Sequence, residues 1–248
     1  MFKKILIVGC GLIGSSILRA SIKKKISKKI YVLEKSKIHI KKIKKLRLNC
    51  EILKDPKKQI TNVDMIIICT HLSEYLKIFK KLEKYIDKNT IVTDVGSAKE
   101  KVSGEIKTKI KRNISWISSH PIAGSEVSGP EFGNEKLFSG KWCVLIKDKN
   151  VNKKHLQILT KFWTKIGSNI VYMSLKEHDH IFSITSHIPH LVAYNMVKTA
   201  MNFEKKKKSN IVKFSAGGLR DFTRTAASNE IMWKDIFLNN RKNITKGI

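Results

Sequence analysis

The sequence predicts an α/β fold in which a parallel-sheet domain is followed by an all-helical domain. Short β-branched runs alternate with helical stretches through the first part of the chain, as expected of strands joined by crossover helices. Strand signals disappear after about Ser174, and the chain from Leu175 to Asn239 shows helical patterns only. We therefore place a boundary near residue 173, which gives domains over residues 1–173 and 174–248.

The individual elements follow from the same alternation. The predicted strands are Ile5–Val8, Tyr31–Leu33, Met65–Cys69, Thr90–Asp94, Ser115–Ser118, Trp142–Ile146 and Ile170–Tyr172. The main predicted helices between them are Leu12–Ser21, Lys37–Leu46, Glu74–Tyr85 and Lys153–Ile166. In the helical domain we expect breaks near Pro189, at Gly217–Gly218, and at Lys205–Lys208, which we interpret as a solvated loop.

The composition restricts the class of partner. The chain has 248 residues, is 42% hydrophobic and carries a formal net charge of +30, so it can bury a real core. A charge of this size is typical of nucleic-acid binding. Here, however, the lysines are spread along the chain among isoleucines, with little arginine and no aromatic residues in the basic runs. We therefore expect no nucleic-acid partner and only a modest attraction of anionic ligands.

Cysteine usage and hydropathy indicate the compartment. The four cysteines form no CxxC pair and no metal-ligand spacing, which is typical of a reduced, cytosolic protein. Met1–Ala20 resembles a secretory signal, but the apolar run before Cys10 is short and is followed by ligand-site sequence. No segment approaches the ~18–20 apolar residues of a membrane span. We expect a cytoplasmic protein without a membrane partner.

A glycine loop supplies the first functional signal. Gly9-Cys10-Gly11-Leu12-Ile13-Gly14 follows a predicted strand and opens a predicted helix, the context that a dinucleotide site requires. The glycines permit a tight turn, close approach of the pyrophosphate and close packing of helix on strand. Glu34 ends the second strand, where an acid holds the adenosine ribose. This predicts a Rossmann-type domain that binds NAD, although the neighbouring Lys35 leaves NADP open.

The segment from His120 to Glu126 supplies the second signal. His120 follows an apolar run and precedes Pro121 and a turn of small residues, so we expect a catalytic imidazole at a strand end. A packing or capping histidine is the alternative. Asp94–Lys99 ends another strand, and Ser97 there is either a helix N-cap or a hydroxyl that orients the imidazole.

A third group of polar residues lies in the helical domain. Half of the eight histidines fall between His178 and His190, but no HExxH pattern is present, so we expect no metal site. We expect Ser186, His187 and His190 to line a polar pocket instead. Arg220 and Arg224 flank Asp221; we expect one of them to bind a carboxylate of the substrate and the other to pair with Asp221.

Taken together, these motifs resemble the prephenate/arogenate (cyclohexadienyl) dehydrogenases of tyrosine biosynthesis. The resemblance extends over nearly the whole chain and rests on Gly9–Gly14, Asp94–Lys99, His120–Glu126, Ser186–His190 and Gly217–Arg224. It implies NAD(P)-dependent oxidative decarboxylation of prephenate to 4-hydroxyphenylpyruvate, of arogenate to tyrosine, or of both. It also implies a homodimer formed through the helical domain.

The same resemblance implies roles for particular residues. His120 would be the base that takes the proton of the substrate hydroxyl, and Ser97 would orient it. His178 matches a further polar position, and Trp233 would border the site from its own or the neighbouring subunit. The implied substrate-binding residues are Ser125, His187, His190, Arg224 and Trp233, and the implied cofactor-binding residues are Gly9, Gly11, Leu12, Ile13, Gly14, Glu34 and Thr70.

Two departures and two alternatives accompany this hypothesis. Thr70-His71 stands where the family usually has Thr-Pro, and the chain ends at Ile248, shortly after the segment of Trp233. One alternative is a β-hydroxyacid dehydrogenase, which would use a lysine base on a helix. The other is a catalytically silent NAD-binding protein, which would lack His120 and Arg224. The sequence leaves the preference between prephenate and arogenate open.

Overall fold

The computed structural model describes residues 2–53, 61–109, 114–207, 211–214 and 217–248. The strands are β1 Phe2–Val8, β2 Ser27–Leu33, β3 Glu51–Leu53, β4 Met65–Ile68, β5 Ile91–Asp94, β6 Ser115–Trp116, β7 Ser119–Pro121, β8 Trp142–Ile146 and β9 Asn169–Met173. The α-helices are α1 Leu12–Lys23, α2 Lys37–Lys45, α3 Tyr75–Leu82, α4 Glu100–Lys109, α5 Lys153–Lys165, α6 Leu175–Phe182, α7 Ile188–Lys207, α8 Gly217–Ala226, α9 Glu230–Asn239 and α10 Arg241–Ile244.

The main sheet has six parallel strands in the order β3-β2-β1-β4-β5-β6. This is the strand order of dinucleotide-binding Rossmann domains, in which ligands bind beyond the carboxyl ends of the strands. With the helical segment that follows, it confirms the predicted fold class. The short β3 on the outer edge lacks a clear alternation in the sequence and was not predicted.

The two faces of the sheet explain why its central strands are apolar throughout. In β1, Ile5 and Ile7 face one core while Leu6 and Val8 face the other, and all four are buried. The four residues of β4 divide in the same way. A parallel strand covered by helices on both faces has no solvent side, so it is a continuous hydrophobic run.

A second, three-stranded sheet corrects one predicted strand. The run predicted as Ser115–Ser118 divides after Trp116: β6 joins the main sheet, whereas β7 pairs antiparallel with β8. His120 therefore lies within a strand, opposite Val144, and not in a loop after one. The strand divides here because Ser118 and Ser119 are polar and buried. Their hydroxyls form hydrogen bonds with those of Ser103 and Thr93, respectively.

The helical segment begins immediately after β9. Ser174 caps α6 through a capping box with Glu177, which fixes the start of the helix. A π-helical turn, Ser183–His187, then joins α6 to α7. The break predicted near Pro189 is therefore a π-turn placed just before it, because proline is tolerated in the first turn of α7.

Two further expectations need correction. The predicted lysine loop is wrong for Lys205 to Lys207, which continue α7; Lys208 lies outside the described residues. Lysine is a good helix former, so a solvated lysine run does not by itself end a helix. The helix predicted over Glu74–Tyr85 is shorter and is flanked by 3₁₀ turns at Leu72–Glu74 and Glu83–Tyr85.

None of the described helices is long and apolar enough to cross a membrane.

Candidate active site

The candidate site lies where the small sheet and the helical segment meet the carboxyl ends of the main strands. Ser119 joins these parts, because its hydroxyl lies 3.0 Å from the Thr93 hydroxyl and donates to the Asp94 carbonyl at 2.6 Å. These bonds fix β7, and with it His120, beside the end of β5. The predicted imidazole thus lies close to the predicted Asp94–Lys99 loop.

His120 is buried and bonded to a second histidine. Its Nδ1 lies 2.9 Å from Nε2 of His178, and Phe182 packs on both rings with centroid distances of 4.7 and 4.5 Å. Burial, together with the nearby His178, Lys99 and His187, holds the pKa of His120 well below its usual value. The ring is therefore neutral at physiological pH and able to accept a proton.

A buried ion pair supports the residue that precedes His120. The Lys99 ammonium pairs with the Asp94 carboxylate and donates to the Ser119 carbonyl at 2.7 Å, and all of these groups are buried. Because an unpaired charge at such depth is costly, the pair ties the end of β5 to β7. The Asp94–Lys99 motif was predicted as a functional loop, but the sequence did not predict that its two ends pair.

His187 occupies the end of the π-turn and is fully buried. The amide nitrogen of Asn240 donates to His187 Nδ1 at 2.9 Å and to the Asp179 carbonyl at 2.7 Å. With Nδ1 accepting, the proton of the neutral ring is on the buried Nε2. Burial lowers the pKa of His187 to about 4, with Asp179 and the Ser97 carbonyl opposing it.

His190 and Trp233 form a stacked pair. Their ring centroids are 3.6 Å apart with an interplanar angle of 18°, and His190 Nδ1 is 2.9 Å from the Ser186 carbonyl. Trp233 belongs to α9 and is buried against the core of the first domain. The structure therefore places Trp233 at the domain boundary of its own chain, in contact with a predicted substrate-binding residue.

Arg224 contacts the loop that follows His120. Its Nη1 is 3.0 Å from a carboxylate oxygen of Glu126, and both side chains are largely exposed. The prediction that one arginine pairs with Asp221 is wrong: among the described residues Asp221 forms no such pair with Arg220 or Arg224. Asp221 lies on the same helix, one position from Arg220 and three from Arg224, whereas Glu126 reaches Arg224 from the loop after β7.

Ser97 and Ser125 lie on loops next to the candidate site. The Ser97 hydroxyl forms no hydrogen bond with His120 within the described part of the chain; its main-chain carbonyl lies beside His187 instead. Ser97 does not cap α4 either, because the N–H groups of Lys99 and Glu100 donate to Asp179. Ser125 is exposed, next to the Arg224–Glu126 pair.

The glycine loop has the geometry that a dinucleotide site needs. Gly9 has φ +84°, and a Cβ there would meet the Cys69 carbonyl oxygen at 2.8 Å. A Cβ on Gly14 would lie 2.1 Å from the Gly9 carbonyl oxygen, so the helix can approach the strand only with glycine there. A Cβ on Gly11 would meet nothing within 4 Å, which leaves open space before the N-terminus of α1. A diphosphate fits this space.

Glu34 reaches the same loop. Its carboxylate accepts the main-chain N–H of Cys10 at 2.7 Å and of Ser36 at 2.9 Å. It thereby fixes the first turn of the loop. Thr70 lies against Gly9, where its methyl group limits the space behind the turn.

Family comparisons agree with this geometry. The model of the prephenate dehydrogenase nucleotide-binding domain matches residues 18–172, and that of the prephenate dehydrogenase dimerization domain matches residues 174–248. The chain belongs to the prephenate dehydrogenase family. The resemblance inferred from the sequence motifs is confirmed.

Individual relatives support the assignment. The chain is 32% identical to a cyclohexadienyl dehydrogenase of Zymomonas mobilis over 97% of its own length and 82% of that protein. It is 31% identical to a prephenate dehydrogenase of Bacillus subtilis, over 97% of its length and 65% of that protein. The crystal structure of Aquifex aeolicus prephenate dehydrogenase with hydroxyphenyl propionate and NAD+ is 32% identical, with a TM-score of 0.91 over 99% of this chain and 85% of that one.

More distant structures share the fold alone. A 3-hydroxyisobutyrate dehydrogenase of Mycobacterium tuberculosis is 10% identical, with a TM-score of 0.61 over 92% of this chain and 72% of that one. This likeness explains why a β-hydroxyacid dehydrogenase was an alternative at the level of domain architecture. The motifs around His120 belong to the prephenate dehydrogenase family instead.

Three functional residues were missed or left without a role by the sequence. Asp179 binds the start of α4 and His178, Asn240 holds His187, and His178 itself contacts His120. The histidine-rich segment was a signal for His178, but the sequence offered no signal for Asp179 or Asn240. Among the described residues, no group of three or more histidines, cysteines or acids is arranged to hold a metal ion.

The buried His187 predicts an acid-sensitive stability. In the folded protein it stays neutral down to about pH 4, whereas in the unfolded chain it binds a proton below about pH 6.5. The unfolded state therefore binds more protons in this window, and the free energy of unfolding should fall as the pH is lowered, by on the order of 3 kcal/mol for this group. Urea unfolding at several pH values between 7 and 4 measures how the free energy of unfolding changes with pH. His187→Asn should reduce the slope; an equal slope would contradict the assignment.

Proposed function

We propose that this chain is an NAD-dependent dehydrogenase that oxidatively decarboxylates prephenate to 4-hydroxyphenylpyruvate and also accepts arogenate. The observation that carries the proposal is the buried, neutral His120, bonded to His178 where the helical segment meets the cofactor-binding sheet. A neutral imidazole in this position can accept a proton from a substrate hydroxyl. Membership of the prephenate dehydrogenase family supports prephenate or arogenate as the substrate.

The chemistry requires a base, a hydride acceptor and residues that bind the substrate. The substrate ring bears a hydroxyl at C4 and a carboxylate at C1. His120 would take the hydroxyl proton, while bound NAD supplies the acceptor for the hydride that leaves C4. Loss of the carboxylate as CO2 then makes the ring aromatic. A positioned base of this kind contributes about 10²–10⁴ in rate.

Several residues around His120 would hold the substrate. Arg224 uses one N–H for Glu126, so its guanidinium keeps further donors for a substrate carboxylate. His187, whose imidazole is fully buried beside the Ser97 carbonyl, is a second proposed contact. Ser97 would act on the substrate hydroxyl, since both ring nitrogens of His120 have other partners in this arrangement. The remaining proposed contacts are Ser125, His190 and Trp233.

The cofactor residues are proposed on the fit of the glycine loop. Gly9, Gly11 and Gly14 leave the space for the diphosphate, with Leu12 and Ile13 at the start of α1 and Thr70 behind the turn. Glu34 would bind the adenosine ribose. Because its carboxylate would repel a 2′-phosphate, it favours NAD over NADP at this position.

Replacing the base tests the catalytic proposal. His120→Asn should lower kcat by roughly 10²–10⁴-fold, because asparagine fills the space but cannot accept the proton. NAD binding, measured by titration of protein fluorescence, should be unchanged. NADH formation from prephenate and from arogenate in parallel gives the activity. Normal turnover in the variant would remove His120 from its role, and no NADH from either substrate with the unaltered protein would contradict the function.

Replacing the arginine tests the substrate contact. Arg224→Ala should raise the KM for prephenate about 10-fold or more, since a charge-assisted hydrogen bond contributes about 1.5–3 kcal/mol. Arg220→Ala, four residues earlier on the same helix, is the matched control and should leave KM unchanged. The reverse pattern would assign the carboxylate contact to Arg220.

We also propose two domains, over residues 1–173 and 174–248, and a homodimer formed by the second. A polar cap at Ser174 separates β9 from α6, which supports the boundary. On α7, Val192, Met196 and Phe203 lie on one stripe of the helix, and each is more than 40% exposed. The matched model of this segment describes a dimerization domain. The four free cysteines support a cytoplasmic location.

Charge on the α7 stripe should weaken the dimer. Met196→Glu with Phe203→Glu should shift sedimentation from dimer towards monomer at micromolar concentration, because the carboxylates would be buried without partners. Ile38→Glu, at an exposed apolar position on α2, is the control and should leave the dimer intact. A dimer unaffected by the α7 substitutions would place the interface elsewhere.

A further inference from the structure

The carboxylate of Asp179 joins the two parts of the chain at the candidate site. It lies on α6 and is almost fully buried. One oxygen accepts the main-chain N–H of Lys99 at 2.8 Å, and the other accepts that of Glu100 at 2.9 Å. These are N–H groups at the start of α4, so a residue of the helical segment caps a helix of the Rossmann domain.

The same carboxylate also binds the neighbouring imidazole. Nδ1 of His178 lies 2.8 Å from the oxygen that accepts Lys99 N–H. All three partners of the Asp179 carboxylate are nitrogens, and two of them are main-chain groups that can only donate. An ionised carboxylate can only accept, so the proton of the third bond must lie on His178 Nδ1.

The proton on His178 Nδ1 determines which nitrogen of His120 carries a proton. Burial lowers the pKa of His178 despite the opposing bond to Asp179, so the ring is neutral and its Nε2 carries a lone pair. His120 Nδ1, 2.9 Å from that lone pair, must then donate. The neutral His120 ring thereby keeps its free lone pair on Nε2, the nitrogen on the far side from His178.

The surroundings hold Asp179 in this geometry. Asn240 donates to the Asp179 carbonyl at 2.7 Å, and Phe182 packs against both histidine rings. The charged and titratable groups facing the two rings are Lys99 and Asp94 from the first domain, Asp179 on α6 and His187 on the π-turn. The N-terminus of α4 adds a positive partial charge next to the carboxylate.

We propose that Asp179 is a positioning residue that sets the tautomer of His120: by holding the proton on His178 Nδ1 it leaves His120 Nε2 unprotonated and available to the substrate hydroxyl. The proposal rests on the proposed role of His120 as the base. Because the same carboxylate caps α4, correct docking of the helical domain and correct protonation of the base depend on one side chain.

Asp179→Asn separates this role from a merely structural one. Asparagine keeps the shape, but its amide has one acceptor oxygen for three N–H groups and so no longer dictates the proton on His178. We expect kcat to fall by about 10–100-fold with the KM values for NAD and prephenate changed less than about 3-fold, as for the loss of an outer residue that fixes a tautomer. Asn152→Ala, which removes the cap of α5 far from the site, is the control. It should lower Tm by about 2–4 °C without changing kcat.

A second variant leaves the cap of α4 in place. His178→Gln keeps Asp179 and its bonds to Lys99 and Glu100 but removes the imidazole between carboxylate and base. It should show a similar loss of kcat with a Tm close to that of the unaltered protein. Full kcat in His178→Gln would overturn the proposal, whether or not Asp179→Asn folds.

Nitrogen-15 NMR of histidine-labelled protein reads the tautomer directly and needs no substrate. The His120 signals, assigned by their loss in His120→Asn, should show a protonated Nδ1 and an unprotonated Nε2. The unprotonated fraction of Nε2 should decrease in His178→Gln. A proton on Nε2 of His120 in the unaltered protein would overturn the proposal. Inactivity towards prephenate and arogenate with the expected tautomer would contradict the proposed function alone.

Discussion

Burial of neutral imidazoles at the boundary between sheet and helices is the constraint on which the rest of the site depends. His120, His178 and His187 are all buried, and burial lowers the pKa of each. A buried polar atom without a partner costs about 1–3 kcal/mol. The surrounding residues therefore have to supply donors and acceptors of the correct kind, and this requirement fixes Asp179, Asn240 and the start of α4.

The Rossmann sheet provides the rigid side of this arrangement. Its central strands are buried on both faces, so their carboxyl ends are held firmly, and the glycine loop, Asp94 and β7 all lie along that edge. The buried Asp94–Lys99 pair and the Ser119 hydroxyl then fix the main chain next to His120. Rigid placement of this kind is what a proton transfer over one hydrogen bond requires.

The helical segment provides the other side, and its irregularity is functional. The π-turn at Ser183–His187 separates α6 from α7, so that His178 and His187 both point into the buried network although they are nine positions apart. Single π-turns inside helices are frequent at functional sites for this reason. His190, one turn further on, leaves the network and stacks on Trp233 instead.

Much of the fold was predictable from local pattern, whereas the pairing of polar side chains was not. Consecutive residues are sufficient to predict the apolar strands β1 and β4 and the glycine loop. Lys205–Lys207 continue α7 because lysine favours helix, so a run of charge does not by itself indicate a loop. The strand at His120 was misplaced because its pairing with β8, more than twenty residues away, leaves no local signal.

The sequence by itself determined the order of strands and helices, the position of the cofactor loop and the family. Each of these depends on spacing over a few residues, or on motifs whose order along the chain is informative. Only the tertiary structure decided that His178 contacts His120, that Arg224 pairs with Glu126 and not with Asp221, and that Asp179 binds α4. These contacts join residues that are about sixty to about a hundred positions apart. For Arg224, the sequence also offers more than one acidic partner. The choice is made by which groups are buried together and must satisfy one another's hydrogen bonds.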